Sequence, residues 1–70
     1  MEFLIVKFDE ERNVLIDEVN QGKTGELIEL AAGTYTVSLD GAEDFTPKTQ
    51  KIRLKKTSPI KPMEVTFEKI

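Results

Sequence analysis

Residues 22–39, GKTGELIELAAGTYTVSL, decide how this chain folds. Thr34-Tyr35-Thr36-Val37-Ser38-Leu39 alternates strictly, with Tyr35, Val37 and Leu39 on one side and three hydroxyl residues on the other. Successive side chains of a β-strand point to opposite faces, so this period of two marks a strand with one buried and one solvated face. Glu26-Leu27-Ile28-Glu29-Leu30 is a shorter version, in which Ile28 and Leu30 share a side opposite Leu27 and Glu29. Ala31-Ala32-Gly33 joins the two. The spacing predicts a β-hairpin whose turn uses a positive φ at Gly33.

The same alternation continues on both sides of this stretch. Phe3-Leu4-Ile5-Val6-Lys7-Phe8 is apolar at nearly every position, as expected of a strand covered on both faces or lying at a subunit contact. Asp9-Glu10-Glu11-Arg12-Asn13 interrupts it. Val14-Leu15-Ile16-Asp17 predicts a second short strand, with Val14 and Ile16 on one face. Residues 18–25 are polar apart from Val19, and Asn20-Gln21-Gly22 predicts a turn. Downstream, Asp40-Gly41-Ala42-Glu43-Asp44 reads as another turn, leading to Phe45-Thr46-Pro47. Residues 48–54 resume the alternation, with Ile52 and Leu54 inward and Lys51, Arg53 and Lys55 outward. Lys56-Thr57-Ser58-Pro59 is a loop, after which Met63, Val65 and Phe67 give the last strand its buried face.

No helical period competes. The chain therefore reads as one all-β domain over residues 1–70, a small antiparallel β-sandwich of six to seven short strands. Its expected core is Val6, Phe8, Val14, Ile16, Ile28, Leu30, Tyr35, Val37, Leu39, Phe45, Ile52, Leu54, Met63, Val65 and Phe67.

Composition removes several classes of chemistry. The chain has no Cys and no His, so Cys/His zinc sites, thiol nucleophiles and imidazole acid–base schemes are excluded. Seventy residues bury only roughly 60% of the surface the unfolded chain exposes, so stability must come from tight packing or from association. A net charge of −3 with mixed signs argues against nucleic acid as a partner. The apolar run at residues 3–6 is too short for a secretory or membrane-spanning segment, which gives a cytoplasmic location by default and no membrane insertion.

Read in order, Val14, Ile16 and Asp17, then Gly22, Lys23, Thr24 and Gly25, then Ile28, Leu30 and Gly33 form a recognisable series. It continues through Tyr35, Val37 and Leu39, Phe45 and Pro47, and Ile52 and Leu54. The series resembles a PEGA domain, and residues 22–39 match without a gap. The chain departs from the family pattern at Gly25, where the family has proline, at Glu18, where glycine is common, and at Glu26, a usually apolar position. The resemblance implies a prealbumin-like (transthyretin-like) β-sandwich acting as a non-enzymatic module, with no catalytic residues and no cofactor to carry over.

Asp9, Glu10 and Glu11 form one acidic group and Asp40, Glu43 and Asp44 another, but neither has the alternating ligand spacing of a calcium loop. Turn formation and solvation explain both, so no metal site is expected. A glycosidase-like carboxylate pair needs a water-excluding cleft, for which so small a sandwich has little material. Gly22-Lys23-Thr24-Gly25 lacks the spacing and following helix of a phosphate loop and reads as a turn.

Lys51, Arg53 and Lys55 line one strand face and offer a site for a polyanion. The competing expectation is a solvated face, with Lys51 paired to Glu64 across a hairpin of the last two strands. Phe3, Ile5, Leu15 and Leu27 point away from the expected core and offer an interaction face for a protein partner or a second copy. The leading expectation is a non-catalytic structural or protein-interaction module, docking through a sheet edge or these outward apolar residues. The alternative is a ligand-binding module for carbohydrate or an acidic surface polymer.

Overall fold

A computed structural model describes all 70 residues. It contains nine strands: β1 (Glu2–Lys7), β2 (Asn13–Ile16), β3 (Val19–Lys23), β4 (Leu27–Leu30), β5 (Gly33–Leu39), β6 (Phe45–Thr46), β7 (Gln50–Leu54), β8 (Met63–Thr66) and β9 (Glu68–Lys69). No helix is present that is long and apolar enough to cross a membrane. One sheet has the order β4-β1-β8, the second β3-β2-β5-β7, and β6 and β9 form a small two-stranded third. All pairs are antiparallel except β1 with β8, which is parallel. The all-β fold is the one the alternation predicts. The strand number exceeds the expected six to seven because β6 and β9 have two residues each and β3, nearly all exposed, lacks alternation.

The expected hairpin at residues 26–39 is not formed. β4 pairs with β1, with Leu4 opposite Ile28, whereas β5 lies in the other sheet between β2 and β7. The chain crosses from one sheet to the other at Ala31-Ala32, and the Tyr35 hydroxyl donates to the Ala31 carbonyl at 2.6 Å. Gly33 has φ 159°, close to fully extended, and not the left-handed value of a tight turn. Side-chain alternation reports which face of a strand is buried. Two strands facing one another across a core bury the same faces as two strands lying side by side, so alternation alone does not choose between them.

The hairpin that does form joins β2 to β3. Its two connecting residues, Asp17 and Glu18, have φ of 49° and 68°. Two positive values in a two-residue loop match the twist of the flanking strands. Asp17 Oδ1 accepts the Thr36 amide at 2.8 Å, which anchors the turn to β5. Asn20-Gln21-Gly22, expected as a turn, lies inside β3. Gly22 is there because β4 passes close by: a β-carbon on it would sit 3.1 Å from Ile28 Cγ1.

The two larger sheets enclose the core. Leu4 and Val6 of β1, Ile28 and Leu30 of β4 and Val65 of β8 face Val14 and Ile16 of β2, Val37 and Leu39 of β5 and Ile52 and Leu54 of β7. Each such side chain, fully buried, contributes about 1.5–3 kcal/mol of transfer free energy. Leu4 joins the expected core because β1 is the central strand of its sheet. Phe8, Tyr35 and Met63 are corrections in the other direction: they are only half-buried and pack against the core from its margins. At one end Phe45 stands edge-on between Phe8 and Phe67, with ring centroids 6.1 and 5.6 Å apart.

The last two long strands also fail to pair with one another. β7 is the outer strand of one sheet and β8 of the other. Lys51 therefore lies opposite Thr36, and Glu64 pairs with Lys7 at 2.8 Å. The expected Lys51–Glu64 pair does not exist.

Candidate functional site

Three of the four outward apolar residues come together. In the β4-β1-β8 sheet Ile5 lies directly opposite Leu27, and Phe3 follows on the same face of β1, opposite Glu29. Phe3 and Ile5 are half-buried, while Leu27 on the outer strand β4 is 47% exposed. Leu15 is not part of this patch. It sits on β2, in the other sheet, opposite Ser38 of β5 and Asn20 of β3.

The four strand edges differ in what they offer a partner. β7 carries Lys51 and Arg53, and cations on an edge discourage further pairing. β3 meets β2 through a register shift at Val14/Leu15, which twists that margin. On β8 the Thr66 carbonyl already accepts the Gln50 side-chain amide at 2.7 Å. β4 carries a single edge charge, Glu29, but no cation, no bulge and no side chain bonded to its carbonyls: it is an outer strand with the sequence Leu27-Ile28-Glu29-Leu30 and an exposed leucine at its start.

Lys51 and Arg53 are exposed on β7, opposite Thr36 and Thr34 of β5, and Lys55 is exposed just beyond the strand. None of the three belongs to an ion pair; the paired cations are Lys7, Arg12, Lys23 and Lys69.

The two acidic groups, by contrast, are drawn to one cation. Arg12 Nη2 lies 2.8 Å from both Asp44 oxygens and 2.5 Å from Glu10 Oε1. Its Nη1 donates to the carbonyls of Asp40 and Ala42 at 3.3 and 3.2 Å. The guanidinium also stands 5.4 Å from the centre of the Phe8 ring. Lys69 Nζ completes the network at 3.1 Å from Glu10 Oε2 and 3.7 Å from Asp44 Oδ2. Only 15% of the Arg12 side chain and 29% of that of Asp44 are exposed, so this pair is shielded from solvent better than the contacts of Glu10, 42% exposed.

The charges respond accordingly. Hydrogen bonds from Arg12 hold the Asp44 and Glu10 carboxyls below the usual carboxylate range, and Lys69 adds to the effect on Glu10. Arg12 is raised by Asp44 first and then by Glu10, and Lys69 is raised by Glu10. Both carboxylates are anions with their oxygens committed to donors, a poor state for a general acid. No three carboxylates converge where a metal ion could sit. The adjoining surface is an open depression of about 350 Å³ lined by Glu11, Arg12, Asn13, Lys23, Asp40 and Gly41, with no apolar wall to exclude water.

Gly22-Lys23-Thr24-Gly25, the stretch that superficially resembles a phosphate loop, performs a structural task. Thr24 Oγ1 accepts the Arg12 amide at 3.0 Å and donates to the Glu10 carbonyl at 3.0 Å. The Thr24 and Gly25 amides reach the carbonyls of Arg12 and Val6, both at 2.9 Å. Thr24 is thereby the one buried polar residue, and it holds the β1–β2 loop in the shape that presents Arg12. At the opposite end Glu2 Oε1 accepts both the amide and the hydroxyl of Thr57 at 2.8 Å, which pins the β7–β8 connection to β1 and lowers the Glu2 carboxyl.

Sequence reasoning overlooked Arg12, Thr24 and Lys69. The available signal was a single arginine inside an acidic loop with a second acidic loop further along. Compared with known proteins, the chain matches no family model, no curated protein and no solved structure.

Proposed function

We propose that this protein is a non-catalytic structural or protein-interaction module of the PEGA type, which docks through the free edge of β4 and the outer face of its sheet. The observation that carries the reading is the contiguous Phe3, Ile5 and Leu27 patch beside an outer strand whose edge bears one carboxylate and neither cation nor bulge. Adding a strand to an open sheet edge supplies main-chain hydrogen bonds for affinity, and the alternating side chains supply selectivity. Here the incoming strand would meet Leu27 and Glu29 on the outer row, so its own outer row should place no acidic residue opposite Glu29. A second copy of β4, with its alternating leucine and glutamate, satisfies this when Leu27 of each copy lies opposite Glu29 of the other.

Two local features support the PEGA reading. Glu18, which stands where that family often has glycine, adopts the left-handed conformation that glycine tolerates best. Thr24, at the family's threonine position, is buried and makes both hydrogen bonds of its hydroxyl.

Light scattering across protein concentration tests the proposal. The expected result is a mass that rises from monomer to dimer, with Leu27→Glu restoring the monomer and Leu15→Glu leaving the dimer intact. A monomer at every concentration overturns it.

A further inference from the structure

The modest net charge conceals a separation of charge. Six of the ten basic residues fall between Phe45 and Met63, a stretch with no acidic residue at all. Their side chains make no ion pair and no hydrogen bond within the protein. The carboxylate expected to neutralise Lys51 is taken by Lys7 on the other sheet. Lys51 and Arg53 recur two residues apart on β7, about 7 Å along the strand, and Lys55 follows.

Beside this row runs a second one. Thr36 and Thr34 lie opposite Lys51 and Arg53 on the same outer face, and Ser38 extends their line along β5. The hydroxyls of Thr34, Thr36 and Ser38 form no hydrogen bond within the protein. A row of free hydroxyls beside a row of free cations matches a linear polymer that carries both hydroxyl groups and anions. Asp17 and Glu18 border a depression with Thr36, Ser38 and Thr49, so an anionic chain is repelled from the Ser38 end. It is left the path along Thr34, Thr36, Lys51, Arg53 and Lys55.

We infer that the outer face of β5 and β7 binds an acidic polysaccharide, its anionic groups on Lys51, Arg53 and Lys55 and its hydroxyls on Thr34 and Thr36. Single-stranded nucleic acid fits less well. Its bases need aromatic platforms, and no aromatic residue is among the exposed large side chains. Tyr35, the one aromatic of β5, alternates to the opposite face and packs against the core. This face is separate from the β4 edge, so the inference stands or falls independently of the docking proposed there.

Calorimetric titration of the whole protein with polygalacturonate, at low salt and at about 0.15 M salt, tests it. The expected result is salt-sensitive binding that Lys51→Glu/Arg53→Glu weakens by at least about tenfold, with the thermal midpoint unchanged. Should that variant misfold, the milder Lys51→Gln/Arg53→Gln must show the same direction of loss. Thr34→Val/Thr36→Val should weaken binding by about threefold while preserving the salt dependence, the signature of hydroxyl recognition. Leu27→Glu should bind the polymer normally. Unchanged affinity in the charge variants, a silent threonine variant, or equal binding of oligo-dT each overturns the inference.

Discussion

At one end of the sandwich Arg12 and Lys69 meet Glu10 and Asp44, whereas along β7 Lys51 and Arg53 meet no carboxylate. Both regions were visible as charged sequence, and the bland expectation for each was solvation. Topology separates them. The β1–β2 loop, the β5–β6 loop and the C-terminal β9 end at the same place, which brings together charges from three distant parts of the chain. β7 has β5 as its only sheet neighbour, whose facing row is hydroxylic, and neither Lys51 nor Arg53 forms an ion pair. The same residue types therefore build structure in one region and remain available in the other.

Removing Arg12 should disturb the molecule most. In Arg12→Met the side chain can still cover Phe8, but the two loops lose their shared donor, and the denaturation midpoint should fall by more than for any other charged residue. The acid limb of the stability profile separates this from a general packing loss. Glu10 and Asp44 have folded-state pKa values below their unfolded ones. Their stabilisation is complete above the unfolded values of about 4 and is lost as pH falls through the folded values. Arg12 and Lys69 are shifted upward, so their share persists at neutral pH and is lost only in strong alkali. Equilibrium unfolding should therefore show a plateau from about pH 5 to 9 and a fall below about pH 4. The fall should be shallower in Arg12→Met. An equally steep acid limb in the variant breaks the contrast between the two regions.

Thr24→Val keeps the shape of the side chain but strands the Arg12 amide and the Glu10 carbonyl. Leaving buried polar groups unmade costs about 1–3 kcal/mol, readable from urea denaturation. A loss well below that means the loop is held by Arg12 alone.

The smallest change is expected at the β2–β3 turn, which borders the Ser38 end of the hydroxyl row. Glu18 at φ 68° bears the left-handed strain of an L-residue, about 1 kcal/mol. Glu18→Gly relieves it, less the extra entropy glycine gives the unfolded chain, for a net gain of roughly 0.5 kcal/mol in chemical denaturation. A loss of stability would show that the Glu18 charge contributes to the fold, and would move this turn into the group of charges that build structure.

Much of the core was legible in the sequence because alternation is a local property. Val14, Ile16, Val37, Leu39, Ile52 and Leu54 are buried as their period requires. Leu4 was not, because a strand apolar on both sides gives alternation nothing to report. β3 was missed for the converse reason, since an edge strand with no buried residue has no apolar period. Of the candidate interaction residues, outward orientation was readable from alternation for Leu15 and Leu27, whereas the doubly apolar β1 left it unfixed for Phe3 and Ile5, and the grouping of Phe3, Ile5 and Leu27 was not readable.

What the sequence alone determined is the set of faces: which side of each strand is apolar, which is hydroxylic, and which is basic. Those assignments follow from a two-residue period set by the geometry of an extended backbone. Only the tertiary structure decided the partners. It placed β4 and β5 in different sheets, set Leu27 beside Ile5 and apart from Leu15, gave Glu64 to Lys7, and gathered two acidic loops around Arg12. Pairing depends on contacts between residues far apart along the chain. Hydrophobic burial fixes that a face is covered, and the packing of the whole chain fixes by what.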